Sequence, residues 1–335
     1  MNDNAPLEFE IIKYLKNLFS NELPLGITGI GDDCAVIDQG NGFSQILTTD
    51  MLTEGTHFVR ERISPFDLGY KSLAVNLSDI ASMGGKPQYA LLSLGLTSDL
   101  TREWIHLFLE GFRELLEINN IYLIGGDTVE AKREICVSIT IVGQVKNEYL
   151  KLRSGAKVGD IICATGVVGD SAAGLAIVLD KSKGAQNFST QLLKKHNRPR
   201  PHLDEGLFLG QEKGVHALMD LSDGVAPDIV KILTQSECGA IINLDAMPLS
   251  EEFVLFCSKN NVDAADFACT GGEDYCLLLT VDKNQFRQIS DRFRKRFGRP
   301  LSEIGLVTTS KVLEFRREAK LYTLKSEPFN HFTKS

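Results

Sequence analysis

The alternation of short apolar runs with amphipathic stretches constrains the fold of this chain more than any other feature. Runs such as "SQILTTDM" and "EICVSITIVGQV" predict strands, and β-branched residues dominate the second. The stretch "TREWIHLFLEGFRELLEINN" repeats apolar residues at helical spacing and predicts a helix. Because the two kinds of element alternate irregularly, we expect a mixed α/β or α+β protein.

The length of 335 residues indicates about two domains, each large enough to bury a core. The pattern of elements changes near residues 147 to 155, and we find no short internal repeat. We therefore predict an N-terminal domain over residues 1–148 and a C-terminal domain over residues 149–335.

Charge and cysteine content restrict the function and the compartment. The 36 basic and 44 acidic side chains give a net charge of -8, which argues against a nucleic-acid surface and means that an anionic substrate would need cations as intermediaries. The sequence has no apolar run of membrane-spanning length and no apolar signal core at its N-terminus. Its seven cysteines form no C-x-x-C pair. We expect a cytoplasmic protein with buried thiols, and no membrane or nucleic-acid partner.

The stretch "SPFDLGYKSLAVNLSDIASMGG" has the signals of a helix at both ends. Ser64 suits the N-cap, Pro65 the first turn, and Gly84 the end. Asp79 then falls in the last turn, where the negative end of the helix dipole disfavours an anion. A positive group beside Asp79 would remove that penalty.

Aspartates recur at the ends of apolar elements, in "GDD", "TTD", "NLSD", "GGD", "DLSDG" and "GGED". Any one of them is more often a cap or a turn residue than a ligand, and "GITGIGDDCAVI" alone could be a solvated turn. Their repetition favours a shared site, and oxygen ligands without His or Cys favour Mg²⁺ or Mn²⁺. The usual nucleotide-binding, kinase and zinc motifs are absent from the sequence.

The sequence contains, in this order, the segments "GIGDDCAV", "LTTDMLTEGTHF", "KSLAVNLSDIASMGGKP", "IGGDT", "RSGAKVGD", "GDSAAGL", "DLSDG" and "GGEDYCLLLT". Together these eight segments resemble the thiamine-monophosphate kinase family. That family belongs to the ATP-dependent superfamily of aminoimidazole ribonucleotide synthetase. The resemblance implies an N-terminal α/β domain, a C-terminal α+β domain, and a homodimer whose N-terminal sheets close a barrel across the interface. It also implies ATP in a cleft with several Mg²⁺ ions held by aspartates.

The resemblance implies roles for individual residues. The metal ligands, direct or through water, would be Asp32, Thr48, Thr49, Asp50, Asp79, Asp127, Asp220 and Asp223. ATP would contact Gly126, Asp127, Arg153 and Ser222. Thiamine phosphate would contact His57, Glu273 and Phe329, and the catalytic candidates are Arg153 and Asp223. The sequence departs from the family pattern at Thr56, Val129 and Phe329, and Phe329 stands where Tyr or Trp is common.

The resemblance implies phosphorylation of thiamine monophosphate by ATP, which gives thiamine diphosphate and ADP. Arg153 would stabilise charge in the transition state or only anchor a phosphate, since its guanidinium suits both roles. One alternative is another ATP-using enzyme of the superfamily, of the purine-synthesis or selenophosphate synthetase type. Another is a sensor that binds Mg-ATP without turnover.

Overall fold

The computed structural model of the protein describes residues 8–19, 23–180 and 188–326. The helices in this part of the chain are α1 (Glu8–Phe19), α2 (Pro65–Ser82), α3 (Arg102–Asn119), α4 (Asp170–Leu179), α5 (Ser189–Asn197), α6 (Leu203–Gln211), α7 (Val225–Gln235), α8 (Glu251–Asn260), α9 (Ala264–Thr270) and α10 (Phe286–Phe297). None of these helices combines the length and apolarity that crossing a bilayer requires.

The strands form two mixed sheets, one from each half of the chain. They are β1 (Ile27–Thr28), β2 (Ala35–Asp38), β3 (Phe43–Thr53), β4 (Lys86–Leu96), β5 (Tyr122–Glu130), β6 (Cys136–Lys146), β7 (Ile161–Ala164), β8 (Val215–Asp220), β9 (Gly239–Asn243), β10 (Leu277–Val281), β11 (Ser302–Thr308), β12 (Leu313–Arg317) and β13 (Lys320–Tyr322). The first sheet has the order β1-β2-β3-β6-β4-β5, and the second has the order β13-β12-β9-β11-β7-β10-β8. The expected mixture of α/β and α+β organisation is therefore confirmed.

Most neighbouring strands in both sheets run antiparallel. The exceptions are β4 with β5 in the first sheet and β9 with β12 in the second, which are parallel. Strand β5 is the outer strand of its sheet, and all nine of its residues are exposed. The edge and one face of the first sheet are therefore open in a single chain.

Helix α2 lies between the two sheets and is buried along most of its length. Its ends are those predicted, because Ser64 accepts a hydrogen bond from the backbone N–H of Asp67 and the helix ends just before Gly84. The helix packs on α6 so closely that a Cβ atom at Gly206 would lie 2.1 Å from the carbonyl oxygen of Ala81. A Cβ atom at Gly69 would lie 1.9 Å from the carbonyl oxygen of Phe108 in α3. Neighbours on both sides therefore fix the position of α2.

Several predicted elements differ from those observed. The stretch "RPRPHLDEGLFLGQEKG" predicts a helix from its start, but α6 begins only at Leu203, after the proline-rich segment "RPRPH". The polar stretch "KSKGAQNFST" predicts a loop; its first seven residues lie outside the described residues, and α5 begins within it at Ser189. Leu192 of α5 is buried in the core of the second half of the chain. Strands β1, β2 and β9 and helices α8 and α9 were not predicted. The unpredicted elements therefore occur in both halves of the chain.

Candidate active site

Three aspartates from three separate elements converge beside α2. Asp33 precedes β2, Asp79 lies in the last turn of α2, and Asp220 ends β8 in the second sheet. Each offers one carboxylate oxygen, and the three oxygens lie within 4.8 Å of one another. We call Asp33, Asp79 and Asp220 the acidic cluster. Its members come from both halves of the chain, so the packing of α2 against the second sheet assembles it.

Neighbouring polar groups orient the carboxylates of the acidic cluster. The hydroxyl of Thr48 on β3 donates a hydrogen bond to Asp79 Oδ2. The hydroxyl of Ser78 donates to Asp220 Oδ2 at 2.7 Å. The buried amide of Asn76 accepts a hydrogen bond from the backbone N–H of Asp50 at 2.9 Å, which fixes β3 against α2. The side chains are thus held in place by hydrogen bonds to the protein.

Arg153 lies against the two adjacent aspartates of the "GDD" segment. Its backbone N–H donates to Asp32 Oδ2 at 3.0 Å, and its guanidinium forms an ion pair with Asp33 Oδ1. The second oxygen of Asp33, Oδ2, is buried and has no hydrogen-bond partner among the described residues. The Asp33 side chain is only 1% exposed. A buried carboxylate oxygen without a partner is costly, so this atom marks a place where a ligand is expected.

Burial and mutual repulsion make the ionised state of these aspartates unfavourable. Burial raises the pKa of Asp79 well above its ordinary value, and the charges of Asp50 and Asp220 raise it further. Burial and the charge of Asp33 do the same to the pKa of Asp220. The pKa of Asp50 is raised to about 6, first by burial and then by the charge of Asp33. The site has more negative charge than its own cations neutralise, and a bound cation would remove the deficit.

Other predicted residues lie next to the cluster. Asp32 is adjacent to it, and burial together with the charge of Asp33 raises its pKa to about 6. Asp223 follows in the loop after β8, and its charge acts on Asp50. Its Oδ2 accepts a hydrogen bond from Lys231 Nζ at 2.6 Å, and Asp228 binds the same ammonium at 2.8 Å. Ser222 lies beside Asp223, and its carbonyl oxygen accepts the N–H of Glu273 at 2.7 Å.

Three residues with expected roles in binding metal or ATP lie elsewhere in the single chain. Thr49 points to the opposite face of β3 from Thr48, and its hydroxyl donates to the carbonyl oxygen of Ile139 at 3.1 Å. Gly126 and Asp127 lie on the exposed outer strand β5. Asp127 is three strands from β3, which is roughly 14 Å at the usual strand separation. The fold therefore does not bring these three residues to the acidic cluster within one chain.

A second polar group lies about two turns along α2 from the cluster. Lys71 is fully buried, and its Nζ lies 3.1 Å from Oε1 and 3.2 Å from Oε2 of Glu273. His196 Nδ1 lies 3.2 Å from Oε2 of the same carboxylate. His57 is close enough for its charge to act on Glu273. Two predicted substrate residues, His57 and Glu273, are thus near each other, whereas Phe329 lies outside the described residues.

The sequence reasoning missed Asp33, Lys71, Asn76 and Ser78. Asp33 could have been included with Asp32, since both carboxylates follow the same glycine. Lys71, Asn76 and Ser78 all belong to a helix that was predicted correctly, and a lysine and an asparagine among its apolar residues were the available signal. Their partners are distant along the chain, as with Glu273, which is 202 residues from Lys71.

Comparison with known proteins gives matches along nearly the whole chain. Residues 31–145 match the family of AIR synthase related protein, N-terminal domain, and residues 157–318 match its C-terminal domain. A thiamine-monophosphate kinase of Buchnera aphidicola subsp. Acyrthosiphon pisum (strain APS) is 38% identical over 97% of this chain and 98% of the relative. The enzyme of the same name from Escherichia coli (strain K12) is 37% identical over the same shares of the two chains.

One solved structure, of AaThiL complexed with AMPPCP and TMP, superposes with a TM-score of 0.85. It is 30% identical in sequence, and the match covers 97% of each chain. An Escherichia coli hydrogenase maturation protein, HypE, has a TM-score of 0.72 at 18% identity over 94% of this chain and 97% of its own, which indicates the same fold and no more. The two-domain arrangement of mixed sheets is thus common to proteins of different activity.

Proposed function

The chain belongs to the thiamine-monophosphate kinase family, and from that premise we propose that it transfers the γ-phosphoryl group of ATP to the phosphate of thiamine monophosphate. The bond between the γ-phosphorus and the bridging oxygen of ATP breaks. A bond from that phosphorus to an acceptor phosphate oxygen forms, and the products are ADP and thiamine diphosphate. The observation that carries the proposal is the convergence of Asp33, Asp79 and Asp220 beside Arg153.

The acidic cluster fits Mg²⁺ by the chemistry of its donor atoms. All the donors are hard oxygens, which Mg²⁺ prefers, and the buried Oδ2 of Asp33 lacks a partner among the described residues. Asp33, Asp79 and Asp220 would hold the ion, with Asp32, Asp50 and Asp223 close enough to hold others. Mg²⁺ bound there would neutralise the charge of the phosphates and position them for in-line transfer. The raised pKa values of Asp79 and Asp220 support the same assignment, because a bound cation would stabilise buried carboxylates whose pKa values burial and neighbouring carboxylates raise.

The acceptor chemistry requires little of the protein beyond positioning. A phosphate monoester has a second pKa near 6, so at pH 7 most of it is a dianion that needs no strong general base. Thr48 and Ser78 hold the carboxylates of Asp79 and Asp220, and Asn76 holds the backbone of Asp50. Arg153 is the cation closest to Asp33, and we assign it to a phosphate oxygen of ATP.

We further propose that the chain works as a homodimer whose first sheets form a barrel across the interface. Residues Tyr122, Leu123 and Ile124 of the outer strand are 68%, 47% and 59% exposed, and Tyr89 and Leu91 on β4 beside it are exposed as well. An apolar sheet face and an unpaired edge strand favour association with a second copy. Gly126 and Asp127 lie on the same strand, and the predicted contacts of these residues with ATP and metal remain proposals for the dimer.

An ADP-release assay with and without thiamine monophosphate tests the proposed activity. We expect ADP to form only when both ATP and thiamine monophosphate are present, with thiamine diphosphate in equal amount. ADP release with a different acceptor and none with thiamine monophosphate would indicate another enzyme of the superfamily. Tight binding of Mg-ATP with no ADP release under any condition would indicate a nucleotide sensor.

A further inference from the structure

Lys71 is a fully buried charged side chain near the site. Its exposure is 0%, and its ammonium bridges both carboxylate oxygens of Glu273. Moving an ammonium out of water costs several kcal/mol unless a partner offsets the loss. Lys71 belongs to α2 in the first half of the chain, and Glu273 belongs to the loop before β10 in the second half. This ion pair therefore connects the two halves at a defined point.

His196 holds Glu273 from a second direction. Its Nδ1 lies 3.2 Å from Glu273 Oε2 and 3.0 Å from the hydroxyl oxygen of Ser171. Because His196 is buried, its neutral form is favoured, and its Nδ1 contacts both the hydroxyl of Ser171 and the carboxylate of Glu273. The backbone is fixed as well, since the N–H of Glu273 donates to the carbonyl oxygen of Ser222 at 2.7 Å and its φ angle is 64°. The position and direction of this carboxylate are thus determined by the protein.

Part of the Glu273 carboxylate remains free for a ligand. The Glu273 side chain is 23% exposed, whereas those of Lys71 and His196 are 0% and 4% exposed. A carboxylate accepts about four hydrogen bonds, and Lys71 and His196 account for three contacts. A fourth acceptor position on the carboxylate is therefore available for an N–H group of a ligand.

Helix α2 sets the distance between Glu273 and the acidic cluster. Lys71 and Ser78 are seven residues apart, so they lie on the same face of the helix and are separated by about 10.5 Å along its axis. Each contacts a carboxylate from the second half of the chain, Lys71 that of Glu273 and Ser78 that of Asp220. A ligand that reaches both carboxylates needs an anionic group at one end and an N–H donor at the other.

We propose that Lys71 and His196 are positioning residues that hold Glu273 to accept a hydrogen bond from the amino group on the pyrimidine ring of the acceptor, while the acceptor phosphate lies at the acidic cluster. This inference rests on the proposed function, in which Glu273 contacts the acceptor, and it adds the two residues that hold Glu273 in place. Thiamine monophosphate carries its phosphate and its aminopyrimidine at opposite ends, which matches the separation along α2. Lys71 and His196 act through Glu273 and do not contact the acceptor.

The first test compares two acceptors on the wild-type protein. Oxythiamine monophosphate has an oxo group in place of the pyrimidine amino group, so it cannot donate the same hydrogen bond. We expect kcat/KM for thiamine monophosphate to exceed that for oxythiamine monophosphate by about tenfold or more, as for a hydrogen bond to a charged group. Equal use of the two acceptors would overturn the inference while leaving the proposed kinase activity intact. Absence of turnover with thiamine monophosphate would overturn both.

The second test uses Lys71→Met with Lys151→Met as the matched control. Lys151 is the other buried lysine of the described chain, and its Nζ donates to the carbonyl oxygens of Glu212 and Val215. We expect Lys71→Met to raise the acceptor KM at least tenfold, to change the KM for ATP less than twofold, and to abolish discrimination against oxythiamine monophosphate. The control should lose stability without a change in acceptor KM. Equal increases in acceptor KM in both variants would mean that Lys71 only stabilises the fold.

A double-variant cycle tests whether Lys71 acts through Glu273, and a histidine variant covers the case in which Lys71→Met does not fold. If Lys71 acts only through Glu273, the double variant Lys71→Met with Glu273→Gln will have the same acceptor KM as Glu273→Gln alone. Additive increases would show that Lys71 affects the acceptor by another route. His196→Gln should also weaken discrimination between the two acceptors, and unchanged discrimination in that variant would contradict the role of His196.

Discussion

The acidic cluster and the Glu273 group lie at two places along one helix and differ in how their charge is compensated. At the cluster, burial and neighbouring carboxylates raise the pKa values of Asp79 and Asp220. At Glu273, burial raises the pKa, but the charge and the hydrogen bond of Lys71 oppose it and the net shift is downward. The first site has more carboxylates than cations, since Arg153 pairs only with Asp33 and Asp32, and it suits a metal. The second contains its own cation and suits a hydrogen-bond donor on a ligand.

Removal of divalent metal should reduce activity more than any substitution. It should act at the acidic cluster and not at the Glu273 group. ADP formation should fall to background in excess chelator and return with Mg²⁺ or Mn²⁺, while Zn²⁺ should substitute poorly because it prefers nitrogen and sulfur ligands. The measurement is an ADP-release assay after metal removal and re-addition. Full activity in chelator would rule out a metal role for Asp33, Asp79 and Asp220.

Asp79→Asn should separate activity from stability. We expect turnover to fall by at least about 100-fold, because loss of a metal ligand should exceed the usual effect of losing a residue that supports one. In chelator at pH 8 the variant should melt at a higher temperature than wild type. Repulsion between charges 4 to 5 Å apart is at most roughly 4 kcal/mol per pair, and the helix dipole adds about 0.3–1 kcal/mol.

Thermal melting of Asp79→Asn with chelator and with Mg-ATP measures this effect. The asparagine oxygen can still accept the hydrogen bond from Thr48, so the substitution removes charge with little change in packing. The variant should also gain less stability from Mg-ATP than wild type does. A lower melting temperature in chelator together with substantial activity would mean that Asp79 is a structural residue at the helix end.

Glu273→Gln should lower stability in chelator, whereas Asp79→Asn should raise it. The substitution leaves the ammonium of Lys71 buried without its counter-charge, which we expect to cost about 3 kcal/mol in the free energy of unfolding. Urea denaturation measures the loss, and the second substitution Lys71→Met should recover part of it. An increase in stability for Glu273→Gln would show that the two sites do not differ in the way described.

The pH dependence at the Glu273 group should come from His196. Burial, with the charge of Lys71, lowers the pKa of His196 to about 3 from an ordinary value of 6.5. A lowered histidine pKa gives stability that is fully present above pH 6.5 and is lost as the pH falls toward 3. Between pH 7 and pH 5 the loss from this group is about 2 kcal/mol.

Urea denaturation of wild type and His196→Gln at pH 7 and pH 5 isolates that contribution. When the pH is lowered from 7 to 5, the unfolding free energy of wild type should fall by about 2 kcal/mol more than that of His196→Gln. A constant difference at the two pH values would mean that His196 is not kept neutral by its surroundings. Other titrating groups contribute equally to both proteins and cancel in the comparison.

Local signals predicted the elements that carry the site. Helix α2 was predicted with both ends, because Ser64 and Gly84 act within a few residues of the helix they bound. Strands such as β3 and β6 were predicted from their composition, since β-branched residues recur along them. The presence of an acidic site was also predictable, as the aspartates stand at element ends that packing brings together.

Contacts between distant residues could not be predicted in the same way. The choice between Asp32 and Asp33 depends on how the preceding loop turns against Arg153, which is 120 residues away. The pairing of Lys71 with Glu273 depends on the docking of the two halves of the chain. The position of Thr49 could have been inferred, because alternation along a strand places it on the opposite face from Thr48 and Asp50.

The two-turn separation of Lys71 and Ser78 limits how this segment can change in length. Insertion or deletion of one residue between them would rotate Ser78 by about 100° around the helix axis, away from Asp220. The close contacts of α2 at Gly69 and Gly206 leave the helix no room to rotate back. Substitutions at solvent-facing positions of other helices change only local contacts, whereas a single-residue insertion here would disconnect the two carboxylate sites. Between positions 71 and 78, we expect the length of the chain to be less tolerant of variation than its composition.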